Sequence, residues 1–74
     1  MQSEQEVRDI KKRHSLALLG KRGVSGVGVE KDDAGRYVLA IHLDTNDLSV
    51  STSLPTQIEG CPVKLVYSGP FRKL

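Results

Sequence analysis

Hydrophobic residues near the N-terminus recur at the spacing of an α-helix and alternate with charged residues. The resulting stripe contains Val7, Ile10, His14, Ala17 and Leu18, and Leu16 and Leu19 widen it. Ser3 and Glu6 have the spacing of a capping box, in which each residue bonds to the backbone of the other. Gly20 is a natural C-terminal stop. The pattern therefore predicts a helix over residues 4–19.

Beyond the helix, the hydrophobic period shortens to the two residues that are typical of β-strands. We predict strands over residues 24–30, 36–44 and 61–68, because these stretches are rich in β-branched residues or alternate apolar with polar positions. Between the first two strands, the run from Lys31 to Gly35 predicts a hairpin turn.

The segment between the second and third strands has weaker periodicity. Residues 47–54 predict one or two irregular helical turns, which Asn46 or Asp47 caps and Pro55 ends. Ile58 is expected to anchor the segment and Gly60 to form a turn.

The element order is helix, strand, strand, short helix, strand. It predicts an α+β fold of two layers, in which the N-terminal helix covers one face of a three-stranded sheet. We expect one small domain over residues 1–74, in which the link between the second and third strands is long enough to allow parallel placement. Phe71 is expected to pack back onto the domain.

Strand alternation divides the predicted sheet into two faces. The apolar face consists of Tyr37, Leu39, Ile41, Leu43, Cys61, Val63, Leu65 and Tyr67. The opposite face is mixed and offers Val38, Ala40, His42, Lys64 and Val66. If no helix covers this second face, it is a candidate surface for dimerisation or for another protein partner.

Two glycines in the first strand, Gly26 and Gly28, are two residues apart and therefore share one face. They predict that a backbone or a helix approaches that face closely. The alternative is the start of a dinucleotide-binding loop, but that fingerprint needs a third glycine that opens a helix. Glu30 and the acidic turn after it follow instead, so we reject this alternative.

Composition restricts the function further. Eleven basic and nine acidic residues leave a net charge of +2, too small to indicate nucleic-acid binding by itself. A single cysteine, Cys61, excludes an internal disulfide and fits a reducing compartment. The absence of a long apolar run and of a signal peptide predicts a cytoplasmic protein without membrane contact.

The residues suited to chemistry do not converge in the sequence. His14 and His42, with Cys61 or Asp44, offer metal ligands, but no local spacing enforces tetrahedral coordination. Cys61 with either histidine is a conceivable nucleophilic pair, but the thiol falls on the apolar face, where burial makes it inert. We expect no metal, no cofactor and no catalysis.

Basic residues are concentrated around the predicted helix. Lys11, Lys12 and Arg13 within it, and Lys21 and Arg22 after it, are candidate nucleic-acid contacts. The alternative is an ordinary solvated helix face. Aromatic platforms for stacking on bases are scarce, because the chain has two tyrosines, one phenylalanine and no tryptophan.

Several segments together resemble a family of small bacterial domains. These are His14-Ser-Leu-Ala-Leu-Leu, Gly23-Val-Ser-Gly-Val-Gly-Val, Tyr37-Val-Leu-Ala-Ile, Leu54-Pro, Ile58-Glu-Gly-Cys-Pro-Val and Ser68-Gly-Pro-Phe-Arg. The resemblance covers about residues 7–72, and this chain has Glu30 where the family pattern continues with glycine. Similar segments precede the catalytic domain in some bacterial trypsin-like serine peptidases. The shared positions are glycines, prolines and core residues, so the resemblance implies a fold and no catalytic residue.

Two functions are compatible with these observations. The first is a non-catalytic protein-interaction or regulatory module, with itself or another protein as partner, and prodomain-like toward a peptidase as the resemblance implies. The second is a small RNA-binding module that uses the basic helix, in which case binding would weaken steeply with salt.

Overall fold

The computed structural model describes residues 2–67. Its elements are α1 (Glu4–Leu19), β1 (Val24–Lys31), β2 (Tyr37–Leu43), α2 (Leu48–Ser51), β3 (Gln57–Ile58) and β4 (Cys61–Tyr67). The strands form one mixed sheet in the order β1-β2-β4-β3. The α+β class and the N-terminal helix are therefore confirmed. The expectations for Ser68 and Phe71 lie outside the described residues.

Helix α1 begins where the capping box predicted. The backbone N–H of Glu6 donates to Ser3 Oγ at 3.2 Å, and the Ser3 N–H donates to Glu6 Oε1 at 2.7 Å. Gly20 follows the last helical residue as the C-cap. Both ends of the predicted helix were thus set by local sequence signals.

The apolar stripe of α1 is narrower than expected. Val7, Ile10 and Leu18 are buried, whereas Leu16 is 87% exposed and Leu19 is 44% exposed. Residues two positions apart lie roughly 200° apart around a helix, so Leu16 points away from the face that Leu18 buries. The expectation that Leu16 and Leu19 widen the stripe was wrong.

The sheet has four strands, and the prediction of three was wrong. Strand β3 pairs antiparallel with the start of β4, with Ile58 opposite Cys61. The two residues between them, Glu59 and Gly60, have positive φ angles of 52° and 79°. Two such residues are the requirement of a type I′ hairpin turn. A two-residue strand is too short to show alternation, which is why the sequence did not reveal it.

Strands β2 and β4 are parallel, an arrangement that the length of their connection allows. The connection contains α2, a single helical turn that Asp47 caps by accepting from the Ser49 N–H. The turn is shorter than the predicted range, and the backbone N–H groups of Ser53 and Leu54 bond the carbonyls three residues back instead of continuing the helix. Thr52 and Ser53 donate to the carbonyls of Leu48 and Val50, at 2.8 and 2.7 Å.

A β-bulge between Val24 and Gly26 shifts the pairing of β1 with β2. The extra residue turns Val24 toward the helix side, where Val24 belongs to the core. Val27 and Val29 are partly buried and pack against this core. The remainder of β1, from Gly26 to Lys31, pairs with β2 in unbroken register.

The core lies between α1 and the apolar face of the sheet. Leu39, Ile41 and Leu43 of the central strand β2 are completely buried. The core cluster consists of Val7, Ile10, Leu18, Val24, Leu39, Ile41, Leu43, Val50, Leu54, Ile58 and Cys61. The apolar face predicted from alternation therefore faces the core, except that Tyr67 at the end of β4 is 48% exposed.

Replacing Leu39 by alanine should remove a fully buried side chain and leave a cavity. We expect the free energy of unfolding to fall by about 2–5 kcal/mol, which is comparable to the total of about 3–5 kcal/mol that a core of this size supplies. Urea titration followed by circular dichroism measures this loss.

The matched control is Leu16→Ala, which removes the same atoms from a side chain that is 87% exposed. It should change the free energy of unfolding by no more than about 0.5 kcal/mol. Equal losses in the two variants would contradict the assignment of the core.

Candidate interaction surfaces

The outer edge of strand β1 is the longest unpaired stretch of sheet backbone in the described chain. The strand order places β1 at one edge, and within residues 2–67 it pairs only with β2. Its helix-side residues Val27 and Val29 are only partly buried, whereas Leu39 and Ile41 on the neighbouring strand are fully buried. An open edge exposes N–H and C=O groups that another strand can bind.

The two edges of the sheet differ in their protection. Beside the other edge, β4 carries Pro62 and Lys64, and β3 covers its start. Proline and lysine are the residues that proteins use to block edge pairing. Strand β1 contains no proline, and its only charges are Glu30 and Lys31 at its end. The β1 edge is therefore the less protected of the two.

The outer face of the sheet, opposite α1, brings together all five residues of the predicted interaction patch. Ala40 pairs with Lys64 and His42 pairs with Val66, and Val38 lies two residues before Ala40. The patch is not an open apolar surface, however, because Val38 is only 2% exposed and Ala40 is fully buried.

A charge bridge crosses this outer face. Lys64 Nζ on β4 lies 3.3 Å from Glu30 Oε1 on β1, so the pair spans the strand β2 between them. The other carboxylate oxygen of Glu30 lies 3.7 Å from His42 Nε2. A partner on this face would therefore meet the polar groups of Glu30, His42 and Lys64, with Val66 half-buried beside them.

Gly26 and Gly28 lie under the His42 side chain. A Cβ atom on either glycine would meet His42 atoms at 3.8–4.0 Å and no other described residue within 4 Å. The expectation that a helix or a backbone approaches these glycines was wrong, because α1 packs on the opposite face of the sheet. The glycines instead leave space for an imidazole from the neighbouring strand.

The tip of the β3–β4 hairpin is clasped to helix α1. Glu59 accepts two hydrogen bonds from Arg13, from Nε at 3.0 Å and from a terminal guanidinium nitrogen at 2.7 Å. His14 Nε2 lies 2.7 Å from the same carboxylate, and Gln2 donates to the Glu59 carbonyl at 3.1 Å. We call this cluster the Glu59 clasp; it holds a residue whose left-handed backbone favours glycine.

The clasp changes the ionisation of its carboxylate. Hydrogen bonds from Arg13 and then from His14 lower the pKa of Glu59 from 4.5 to about 2. In turn, the hydrogen bond to the Glu59 carboxylate raises the pKa of Arg13. The carboxylate therefore stays ionised in the folded protein at acidic pH values where a free glutamate is largely protonated.

The five candidate nucleic-acid contacts do not form one continuous basic patch. Arg13 belongs to the Glu59 clasp, and Arg22 lies 3.2 Å from Asp47. Lys11 and Lys12 line a shallow depression on α1 with Arg8 and Ser15. Lys21 is exposed and lies apart from them, after the end of α1.

The residues considered as metal ligands or as a nucleophilic pair lie in different environments. Cys61 is fully buried, and burial raises the pKa of its thiol. His14 is held by Glu59, whereas His42 lies near Glu30 on the outer face. Within residues 2–67, His, Cys, Asp and Glu form no group of three or more that could hold a metal ion.

Neither protein-family models, curated proteins nor solved structures match this chain. None of the helices in the described part of the chain combines the length and the apolar character needed to cross a membrane.

Sequence reasoning missed the Glu59 clasp. The available signal was Glu59-Gly60 between two apolar residues, Ile58 and Cys61, which is a two-residue hairpin spacing. Even with that hairpin recognised, its contact with Arg13 joins positions 46 residues apart and depends on the packing of the hairpin against α1.

Replacing Glu59 by glutamine should change how stability depends on pH. Because folding lowers the pKa of Glu59, its ionised form stabilises the native state fully above pH 4.5, and this contribution disappears as pH falls toward about 2. Glu59→Gln should therefore be less stable than the wild type at neutral pH, and the difference should shrink with acidification. Urea titrations across this pH range measure it.

The control is Asp33→Asn, which removes one negative charge from an exposed turn residue without an ion pair among the described residues. This variant should unfold like the wild type at neutral pH. A Glu59→Gln curve that runs parallel to the wild type at all pH values would contradict the role of the clasp.

Proposed function

We propose that the protein is a non-catalytic protein-interaction module that binds an extended segment of a partner along the edge of β1. The observation that carries the proposal is the unpaired outer edge of this eight-residue strand. Strand addition supplies affinity through backbone hydrogen bonds and specificity through the side chains on either side.

The surroundings of β1 support recognition of an extended segment. Val27 and Val29 on the helix side are partly buried and provide an apolar rim. Glu30 and His42 on the outer side provide polar contacts. A bound strand would thus meet apolar groups on one face and polar groups on the other.

Support for a non-catalytic role comes from the residues otherwise suited to chemistry. The Cys61 thiol is buried and its pKa is raised, which disfavours the reactive thiolate. Arg13, His14 and Glu59 are engaged with one another at the hairpin tip.

The resemblance to segments that precede trypsin-like catalytic domains suggests a class of partner. In this proposal, the module regulates a serine peptidase in the way a separate prodomain would, and does so in the cytoplasm. Its β1 edge would bind an extended segment of the peptidase.

An RNA-binding role is the second candidate, because Arg8, Lys11 and Lys12 border the same depression on α1. Ion pairs weaken this candidate. Arg8, Arg13 and Arg22 each lie within 3.2 Å of a carboxylate oxygen, so RNA phosphates would have to compete with these contacts.

A library of random peptides displayed on phage tests the first candidate. Selected peptides, added to the isotopically labelled protein, should shift the NMR signals of residues 26–30 and slow the exchange of outward-pointing amides of β1, because strand addition bonds them. Peptides that shift only α1 or the outer face, or a selection that yields no binder, would contradict strand addition at β1.

Titration with single-stranded RNA tests the second candidate. If RNA binds through α1, the double variant Lys11→Glu/Lys12→Glu should abolish binding, and the wild-type affinity should fall steeply with salt. Asp33→Lys provides a control for net charge at a distant turn. Unchanged RNA affinity in the double variant would exclude the basic helix as the contact.

A further inference from the structure

The segments that flank β1 carry opposite charges. Lys21 and Arg22 precede the strand, and Asp32 and Asp33 follow it. Arg22 lies 3.2 Å from Asp47 and Asp32 lies 2.9 Å from Arg36, whereas Lys21 and Asp33 have no ion pair among the described residues. When two copies of such a strand pair antiparallel, the basic end of each copy lies beside the acidic end of the other.

We propose that the β1 edge binds a second copy of this chain, antiparallel and related by a two-fold axis at Gly28, to form a continuous eight-stranded sheet. The inference rests on the proposed function, since both use the same edge, and it names the partner. A two-fold axis perpendicular to the sheet keeps both helices α1 on the same side.

The regular part of β1 fits this register. After the bulge at Val24/Gly26, residues 26–30 are in unbroken pairing with β2. Reversal about Gly28 pairs this run with itself and places Val27 opposite Val29 of the second copy. These two residues point to the helix side in both copies, and opposed β-branched pairs stabilise antiparallel strands. Gly28 opposes itself at the axis without side chains that clash.

The charges at the two ends of β1 favour antiparallel over parallel pairing. In the antiparallel arrangement, the Lys21–Arg22 end of one copy lies beside the Asp32–Asp33 end of the other. A parallel arrangement would place like charges together. Exposed ion pairs contribute little to stability, but their arrangement selects orientation and partner.

The alternative edge is less suited to self-association. Pro62 lacks an N–H, and Lys64 is a charged residue of the kind that proteins place on strands to block edge pairing. A strand pair also buries less than the roughly 1,200–2,000 Å² of a standard stable interface, so we expect weak, concentration-dependent dimers.

Gly28→Lys tests the axis. A Cβ at Gly28 would meet only His42 Nε2, at 3.9 Å, among the described residues, so the monomer should accept a side chain there. In the dimer, two lysines would oppose each other. Sedimentation from about 1 μM to about 1 mM should show the wild-type mass rising from 8.1 kDa toward twice that value, while the variant stays monomeric.

The matched control is Gln57→Lys, which adds the same charge to the exposed strand β3 at the other edge. It should dimerise like the wild type. Loss of the dimer in Gln57→Lys and its persistence in Gly28→Lys would overturn the inference, as would a wild-type protein that stays monomeric throughout the range.

Disulfide trapping keeps the test independent of how well Gly28→Lys folds. Under oxidising conditions, Gly28→Cys should form a covalent dimer through its own residue across the axis, whereas Gln57→Cys should not; native Cys61 is buried. Cross-linking of Gln57→Cys alone would overturn the inference.

A monomeric wild type whose residues 26–30 still respond to library peptides would overturn the dimer and leave the proposed function standing. A wild type that dimerises but yields no peptide binder would support the dimer and contradict the proposed binding of an extended partner segment.

Discussion

Burial of the central strand β2 beneath helix α1 is the interaction on which the rest of the structure depends. Leu39, Ile41 and Leu43 are fully buried on the helix side, and Val7, Ile10 and Leu18 of α1 complete that contact. Because β2 pairs on both sides, its position also determines which strands become edges. The hairpin leaves β1 outside on one side, and the parallel crossover places β4 on the other.

The polar contacts of the protein connect elements that the core does not join directly. Glu30 and Lys64 bridge β1 and β4 across the buried residues Val38 and Ala40. The Glu59 clasp ties the β3–β4 hairpin to α1. In both cases a carboxylate brings together strands or helices distant in sequence, so these contacts orient the elements around the apolar core. Their exposure means that salt and pH modulate them more than they modulate the core.

The proposed activities follow from an imbalance between the two edges of the sheet. One edge is interrupted by proline, lysine and the short strand β3, and the other presents a long β1 with two glycines. Small domains bury a limited share of their surface, so pairing along an open edge is a direct way to gain stability. Whether the partner is a peptidase segment or a second copy, the same backbone groups would form the contact.

Local sequence by itself determined α1, the alternation of β2 and β4 and the α+β class, because capping, periodicity and turn residues act over a few neighbours. The tertiary structure alone decided the fourth strand, the burial of Val38 and Ala40, and the pairing of Glu59 with Arg13 and His14. Alternation assigned Val38 and Ala40 to the outer face correctly but could not show that Glu30 and Lys64 meet above them. Such contacts depend on strand order and on packing between distant residues, which no local pattern encodes.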